Sequence, residues 1–101
     1  RAGVKIEIPT AYEENTEKVE KALDALMEEI KKIPDVYEDS SYLGIEMLDA
    51  SAIKYSLMIY CKSSEQYAIK RKILKMIKEV YEQENIKMPY NQIEVHNGKE
   101  L

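Results

Sequence analysis

The chain has 101 residues, 45% of them hydrophobic and 34% charged, and its formal net charge at pH 7 is −4. This length holds one domain with a single core, and the composition is that of a globular chain, which excludes an intrinsically disordered protein. The negative balance argues against a nucleic-acid partner, because phosphates require a concentrated positive surface.

The start of the chain predicts a strand followed by a helix. The apolar residues Val4, Ile6 and Ile8 alternate with the charged residues Lys5 and Glu7. This is the period of a half-buried strand. Asn15 is the predicted N-cap of the helix, and Pro34 lies beyond its end. The apolar residues of this segment recur at helical spacing: Val19, Leu23, Leu26, Ile30 and Ile33.

A hairpin follows the first helix. Leu43, Ile45 and Met47 alternate in one segment, and a short connection leads to a second alternating segment at 53–61. Two strands joined so closely must form an antiparallel hairpin. The alternation predicts that Leu43, Ile45 and Leu57 face the helices. An aspartate at Ile45 or Leu57 is therefore expected to unfold the domain.

A second helix and a fourth strand complete the chain. Ser63 is the predicted first residue of the helix, with Gln66 completing a capping box. Pro89 has no N–H and a fixed φ, and we interpret it as a structural turn that ends the helix. Ile93 and Val95 then alternate with polar residues and predict an edge strand. The core stripe predicted for the helix is Ile73, Ile77 and Val80, flanked by Ile69, Met76, Leu74 and Tyr81.

The order of these elements, β-α-β-β-α-β, predicts an α+β fold of the ferredoxin-like sandwich type. Right-handed crossovers place both helices on one face of a four-stranded antiparallel sheet. The predicted order across the sheet is four, one, three, two. This fold carries many functions and indicates none of them by itself.

The titratable residues predict no enzyme, no metal site and no cofactor. His96 is the sole histidine and is interpreted as a solvated side chain at the end of the last strand. Cys61 has the inward parity of its strand, which favours a small buried residue over a reactive thiol, and a lone cysteine excludes an internal disulfide. Glu13 and Glu14 suit the dipole of the helix that begins after them.

Two surfaces are candidates for contact with a partner. The alternation places an apolar patch on the sheet face away from the helices, and this patch is a candidate subunit or domain interface. Its alternative is a set of scattered surface apolar residues. The second helix has a basic side that suits anionic lipid, an acidic partner or water. The patch consists of Tyr42, Leu48, Met58 and Tyr60, and the basic side of Lys70, Arg71, Lys72, Lys75 and Lys78.

Three segments of the chain resemble those of a known protein family. The first strand runs into Tyr12 before the polar helix start at Asn15, and a proline-containing loop leads to Asp39-Ser40-Ser41 and the hairpin. The most specific segment is Asn-Ile-Lys-Met-Pro-Tyr-Asn-Gln at 85–92, followed by Val-His at 95–96. Over roughly 4–96 the chain resembles the C-terminal α/β domain of the small-conductance mechanosensitive ion channel family. That family has Asp at the helix start, and Gly or Asn, Ile, any residue, Ile-Pro-Phe-Pro-Gln in the last segment.

The resemblance implies a structural, oligomerising role. Seven copies would form the wall of a hollow vestibule on the cytoplasmic side of the cell membrane, framing the solute path to the pore. The chain begins with Arg1 instead of Met, and it is expected to be a piece of a membrane protein whose N-terminal region spans the bilayer. Residues 1–3 would then be the exit from a preceding β-domain, 4–96 the α/β domain and 97–101 the start of a C-terminal tail.

Two other classes of function remain as alternatives. A free-standing ferredoxin-like regulatory module that binds a small ligand would require a ligand-contacting loop, and the sequence shows none. An acylphosphatase-like enzyme would require a phosphate-cradling loop with an arginine after the first strand. The chain has Ala11-Tyr12-Glu13-Glu14 at that place, which is the wrong chemistry for a phosphate.

Overall fold

The structure, a computed structural model, describes residues 1–89. The predicted fourth strand with Ile93 and Val95, His96 and the tail at 97–101 lie outside the described residues. In chain order the elements are β1 (Ala2–Thr10), α1 (Thr16–Ile30), β2 (Ser41–Leu48), β3 (Ile53–Cys61) and α2 (Gln66–Gln83), with a 3₁₀ turn at Ser63–Glu65 before α2.

The three described strands form one antiparallel sheet with β3 in the middle, in the order β1-β3-β2. This is the order predicted for these three strands. Leu57 of β3 stands opposite Ile6 of β1, and both are buried. Buried side chains of both helices join the buried side chains of β1 and β3 in one core. The observed fold is thus α+β, with a three-stranded antiparallel sheet and two helices.

α1 follows its sequence pattern closely. The side chain of Asn15 accepts a hydrogen bond from the backbone N–H of Lys18 at 3.0 Å, which confirms the predicted N-cap. That bond satisfies one of the N–H groups that a helix start leaves without a partner. The predicted apolar stripe is buried along its whole length: Val19, Leu23, Leu26, Ile30 and Ile33.

The start of α2 differs from the prediction, because no capping box forms at Ser63. The chain makes a 3₁₀ turn first, and the side-chain amide of Gln66 donates to the carbonyl oxygen of Ser63 at 3.2 Å. The stripe that α2 buries steps by four residues, so Tyr81 belongs to it and Val80 is only half-buried. Its members are Ile69, Ile73, Ile77 and Tyr81.

The end of α2 is a Schellman motif centred on Asn85. Asn85 has φ of 56°, the left-handed conformation that such caps require. The N–H of Ile86 donates to the carbonyl of Tyr81 at 2.8 Å, and the N–H of Asn85 donates to that of Glu82 at 3.3 Å. The helix therefore ends before Pro89 and by its own hydrogen bonds.

After the cap, the chain runs beside the end of β1. The N–H of Ala11 donates to the carbonyl of Lys87 at 2.9 Å, and the N–H of Lys87 donates to the carboxylate of Glu14 at 3.1 Å. These bonds place the returning segment beside the end of β1. That is the place where the sequence predicts the fourth strand, whose residues lie beyond the described range.

The faces of β2 differ from the prediction. Tyr42 is predicted on the face away from the helices, yet it packs against the core. Leu43 and Ile45 are predicted inside, yet both are exposed, although Ile45 stands opposite the buried Tyr55 and so keeps the predicted face. Two bulges shift the register of β2 against β3, one between Tyr42 and Gly44 and one between Ile45 and Met47. Each bulge adds a residue to the strand, so the alternation of faces breaks there.

Candidate protein–protein interface

The four residues of the predicted patch do not form one surface. The hydroxyl of Tyr42 donates to the carboxylate of Glu20 on α1 at 2.6 Å, on the helix side of the sheet. Burial and this carboxylate raise the pKa of Tyr42 above its ordinary value. Met58 and Tyr60 are half-buried near one end of the hairpin, and Leu48 lies at the other end beside the turn. Their role as an interface stays a prediction.

Tyr60 is covered largely by its own chain. The guanidinium of Arg1 lies over the Tyr60 ring at 4.4 Å from the centroid and 5.5 Å from that of Tyr37. Arg1 also forms an ion pair with Asp39, and this bond raises the pKa of the guanidinium. A Cβ at Gly3 would lie 3.2 Å from the Tyr60 ring. Arg1 and Tyr37 thus fasten the first residues of β1 to the loop after α1.

The exposed apolar surface lies on β2 instead. β2 is an edge strand of the described sheet, since it has one neighbour, β3, among the described strands. A long exposed apolar edge strand is a site for association with another chain. Four large apolar side chains along this strand are exposed: Leu43 (51%), Ile45 (43%), Met47 (48%) and Leu48 (68%). We call these four residues the β2 edge.

Sequence reasoning missed three of these four residues, because it assumed an unbroken strand. The available signal was Gly44 in the middle of the alternating segment, since an isolated glycine in a strand often marks a bulge. Gly44 has φ of 120°, which a residue with a side chain rarely adopts. The glycine therefore permits the bulge that contains Leu43. Ile45, after the bulge, stands opposite the buried Tyr55 on the helix side of the sheet and is exposed there.

Polar contacts hold the β2 edge in place. Glu46 forms an ion pair with Lys5 of β1 at 2.9 Å and accepts a hydrogen bond from Ser56 at 3.2 Å. The hydrogen bond from Lys5 lowers the pKa of Glu46. At the turn, Tyr12 donates to the carbonyl of Asp49. Glu46 is thus bound to its own sheet, while the apolar side chains of the β2 edge stay exposed.

No catalytic arrangement appears in residues 1–89. No group of three His, Cys, Asp or Glu side chains there is placed to hold a metal ion. Cys61 is buried, as predicted, and burial raises the pKa of its thiol. Glu14 accepts the hydrogen bond from the N–H of Lys87 described above. Cys61 is thus part of the core, and Glu14 binds the returning segment.

Comparisons with known proteins identify a family. Its sequence model, described as "Mechanosensitive ion channel MscS, C-terminal", matches residues 4–88. A small-conductance mechanosensitive channel of Caldanaerobacter subterraneus subsp. tengcongensis is 31% identical over 88 residues, which are 84% of this chain and 30% of that protein.

A solved structure agrees in fold. The crystal structure of Helicobacter pylori MscS in its closed state matches with a TM-score of 0.70 and 18% identity, covering 90% of this chain and 36% of that one. At this identity the likeness concerns the fold alone. In both comparisons the chain spans about a third of the protein that it matches.

Proposed function

This chain belongs to the mechanosensitive ion channel MscS family, whose C-terminal domain it matches over residues 4–88, and we propose that it forms the wall of a vestibule on the cytoplasmic side of such a channel. The domain acts there as a structural and oligomerising unit, not as an enzyme. Seven copies surround the path by which solutes reach the pore.

The observation that carries this proposal is the β2 edge. A wall built from identical domains requires side surfaces that bind each other, and aliphatic and Met side chains exposed along an edge strand supply one. Leu48 belongs to both this surface and the predicted patch. The hydrogen bond from Tyr42 to Glu20 connects β2 to α1.

The membrane part of the proposed channel precedes this domain. Among residues 1–89, neither helix combines the length and the apolar character that crossing a bilayer requires. Residues 1–3 are proposed as the exit from a β-rich domain, and 97–101 as the start of a tail. The reading frame upstream of Arg1 should therefore encode apolar membrane-spanning segments and a small β-rich domain. A gene that encodes neither would overturn the proposal.

The oligomerising role is tested in the full-length channel with Ile45→Lys. A lysine at the β2 edge would have to lose its hydration at an apolar contact, which opposes assembly. Native mass spectrometry of the purified protein is expected to show a smaller fraction of complete oligomers. Met88→Lys is the matched control, because Met88 and Ile45 are both 43% exposed. Equal assembly of the two variants would refute this use of the β2 edge.

A further inference from the structure

α2 presents an exposed face that is both basic and apolar. Residues 70–78 contain five of the fifteen basic residues of the chain and no acidic one. All five are exposed. Lys78 pairs with Glu82, and the other four form no ion pair within residues 1–89. The positive charge of this face is thus largely uncompensated inside the described part of the chain.

Two large side chains with apolar surface lie among these basic residues. Tyr67 is 69% exposed and Leu74 is 46% exposed. Residues three and four apart are neighbours on a helix, so Tyr67, Arg71, Leu74 and Lys78 lie in one line, with Lys75 beside it. Tyr and Arg are the residue types enriched in protein interfaces. We call these five residues the α2 stripe.

One flank of α1 is mainly acidic, with Lys21 beside its four acidic residues. Glu17, Glu20, Asp24 and Glu28 are spaced by three and four residues, so they also lie in one line. We call them the α1 stripe. The exposed members, Glu17, Asp24 and Glu28, form no ion pair among the described residues. Glu20 receives the hydrogen bond from Tyr42, which places the α1 stripe next to β2 and its exposed edge.

The two stripes belong to opposite sides of the molecule. α1 contacts β2, and α2 contacts β1, and these are the two outer strands of the described sheet. One side of the domain therefore combines acidic residues with the apolar β2 edge. The other side combines basic residues with Tyr67 and Leu74. Each side has the charge and the apolar surface that the other requires.

We propose that the α2 stripe of one copy binds the α1 stripe and the β2 edge of the next copy. This inference rests on the proposed function, since it assumes a ring of identical domains. A ring closed by one repeated contact requires two different, complementary surfaces on each copy. Charge pairing across that contact fixes which surface meets which and speeds their encounter.

Cross-linking in the full-length channel tests the pairing. Leu74→Cys and Asp24→Cys lie near the middle of their helices, so they come close whether the helices run parallel or antiparallel. A short bismaleimide is expected to join neighbouring copies into a ladder of covalent oligomers. Leu74→Cys with Lys18→Cys is the control, because Lys18 lies on another flank of α1. The unsubstituted channel measures any background from Cys61, which is buried.

Charge reversal adds a second measurement. The reversals are made at other positions of the two stripes, so both cysteines stay in place. Glu17→Lys with Glu28→Lys, or Arg71→Glu with Lys75→Glu, should each lower the cross-linking rate by about tenfold at low salt. All four substitutions together restore attraction and should return the rate to within about threefold of the parent. Restoration supports the pairing, because two unrelated structural defects would not cancel.

The outcomes separate this inference from the proposed function. An assembled oligomer by native mass spectrometry without cross-links would overturn the stripe pairing and leave the vestibule role standing. Failure of the unsubstituted channel to assemble would overturn the role itself. Loss of binding of the isolated chain to phosphatidylglycerol vesicles upon Arg71→Glu with Lys75→Glu, without change in cross-linking of the channel, would assign the α2 stripe to anionic lipid and refute the pairing.

Discussion

Tyr81 carries a hydroxyl group into the core of the domain. Its side chain is 2% exposed, and its only partner among the described side chains is the hydroxyl of Thr10, at 2.7 Å. Burial raises the pKa of Tyr81 to about 12. The single bond joins α2 to the end of β1, where the chain leaves the sheet.

Stability at alkaline pH should depend on Tyr81. Its pKa is higher in the folded chain than its ordinary value of 10, so its contribution is complete below pH 10 and is lost as pH rises through 12. At about 1.4 kcal/mol per pH unit, the contribution of Tyr81 to the free energy of unfolding falls by roughly 2 to 3 kcal/mol over this window. Tyr42, whose pKa is also raised, adds its own share to the fall. Urea titrations at several pH values measure it. Tyr81→Phe should cost about 1 kcal/mol at neutral pH and flatten this dependence; an unchanged slope would contradict the assignment.

Ile45 and Leu57 are both predicted to face the helices, but in the structure only Leu57 is buried. Leu57 is fully buried, and Leu57→Asp should unfold the domain, because its charge would have no partner. Ile45→Asp, which the sequence pattern predicts to be equally severe, should cost less than about 1 kcal/mol in the isolated chain, because Ile45 is exposed. Circular dichroism and urea denaturation distinguish the two. An unfolded Ile45→Asp protein would show that the β2 edge supports the monomer.

At the scale of elements, the sequence predicts well where the pattern is long and fails where one residue changes the backbone. α1, α2 and β3 have repeated apolar positions, so small local irregularities do not obscure them. β2 is short and contains two bulges, and each bulge reverses the parity from which faces are assigned. The 3₁₀ turn at Ser63–Glu65 likewise displaced the predicted cap, because the first turn tightened before α2 began.

The end of α2 yields a paired prediction for Asn85 and Pro89. Asn85→Ala should destabilise the domain by about 1 kcal/mol, because alanine disfavours the left-handed conformation, while Asn85→Gly should be neutral or stabilising. Pro89→Ala should cost about 1 kcal/mol through the returning segment. Hydrogen exchange separates them: Pro89→Ala should lower protection at Ile93 and Val95 only. Unchanged protection there would mean that packing, not Pro89, directs the return.

At the scale of the whole molecule, the sequence indicated that apolar residues reach the surface but not which ones. Whether a residue of β2 is exposed depends on the register of β2 against β3 and on which part of β2 is covered by α1. The spacing of apolar residues along the chain determines neither of these. Leu48 was assigned to the outward face by alternation, and it is exposed although it stands opposite the buried Ile53. The basic side of α2 was identified from the sequence, because the cluster of Lys and Arg at 70–78 does not depend on the register of any strand. Their relation to the α1 stripe required the positions of both helices.

The isolated chain should be monomeric or weakly associated at micromolar concentration. Each contact proposed between copies combines a few apolar side chains with exposed charges, and exposed ion pairs contribute about 0 to 1 kcal/mol each. In the full-length channel the other domains hold the copies together, and such linkage raises the effective concentration of each contact to the millimolar range. Light scattering over a concentration series should therefore show association only far above micromolar, and 0.5 M salt should weaken it. A tight seven-membered ring formed by this chain alone would show that the domain drives assembly without the rest of the channel.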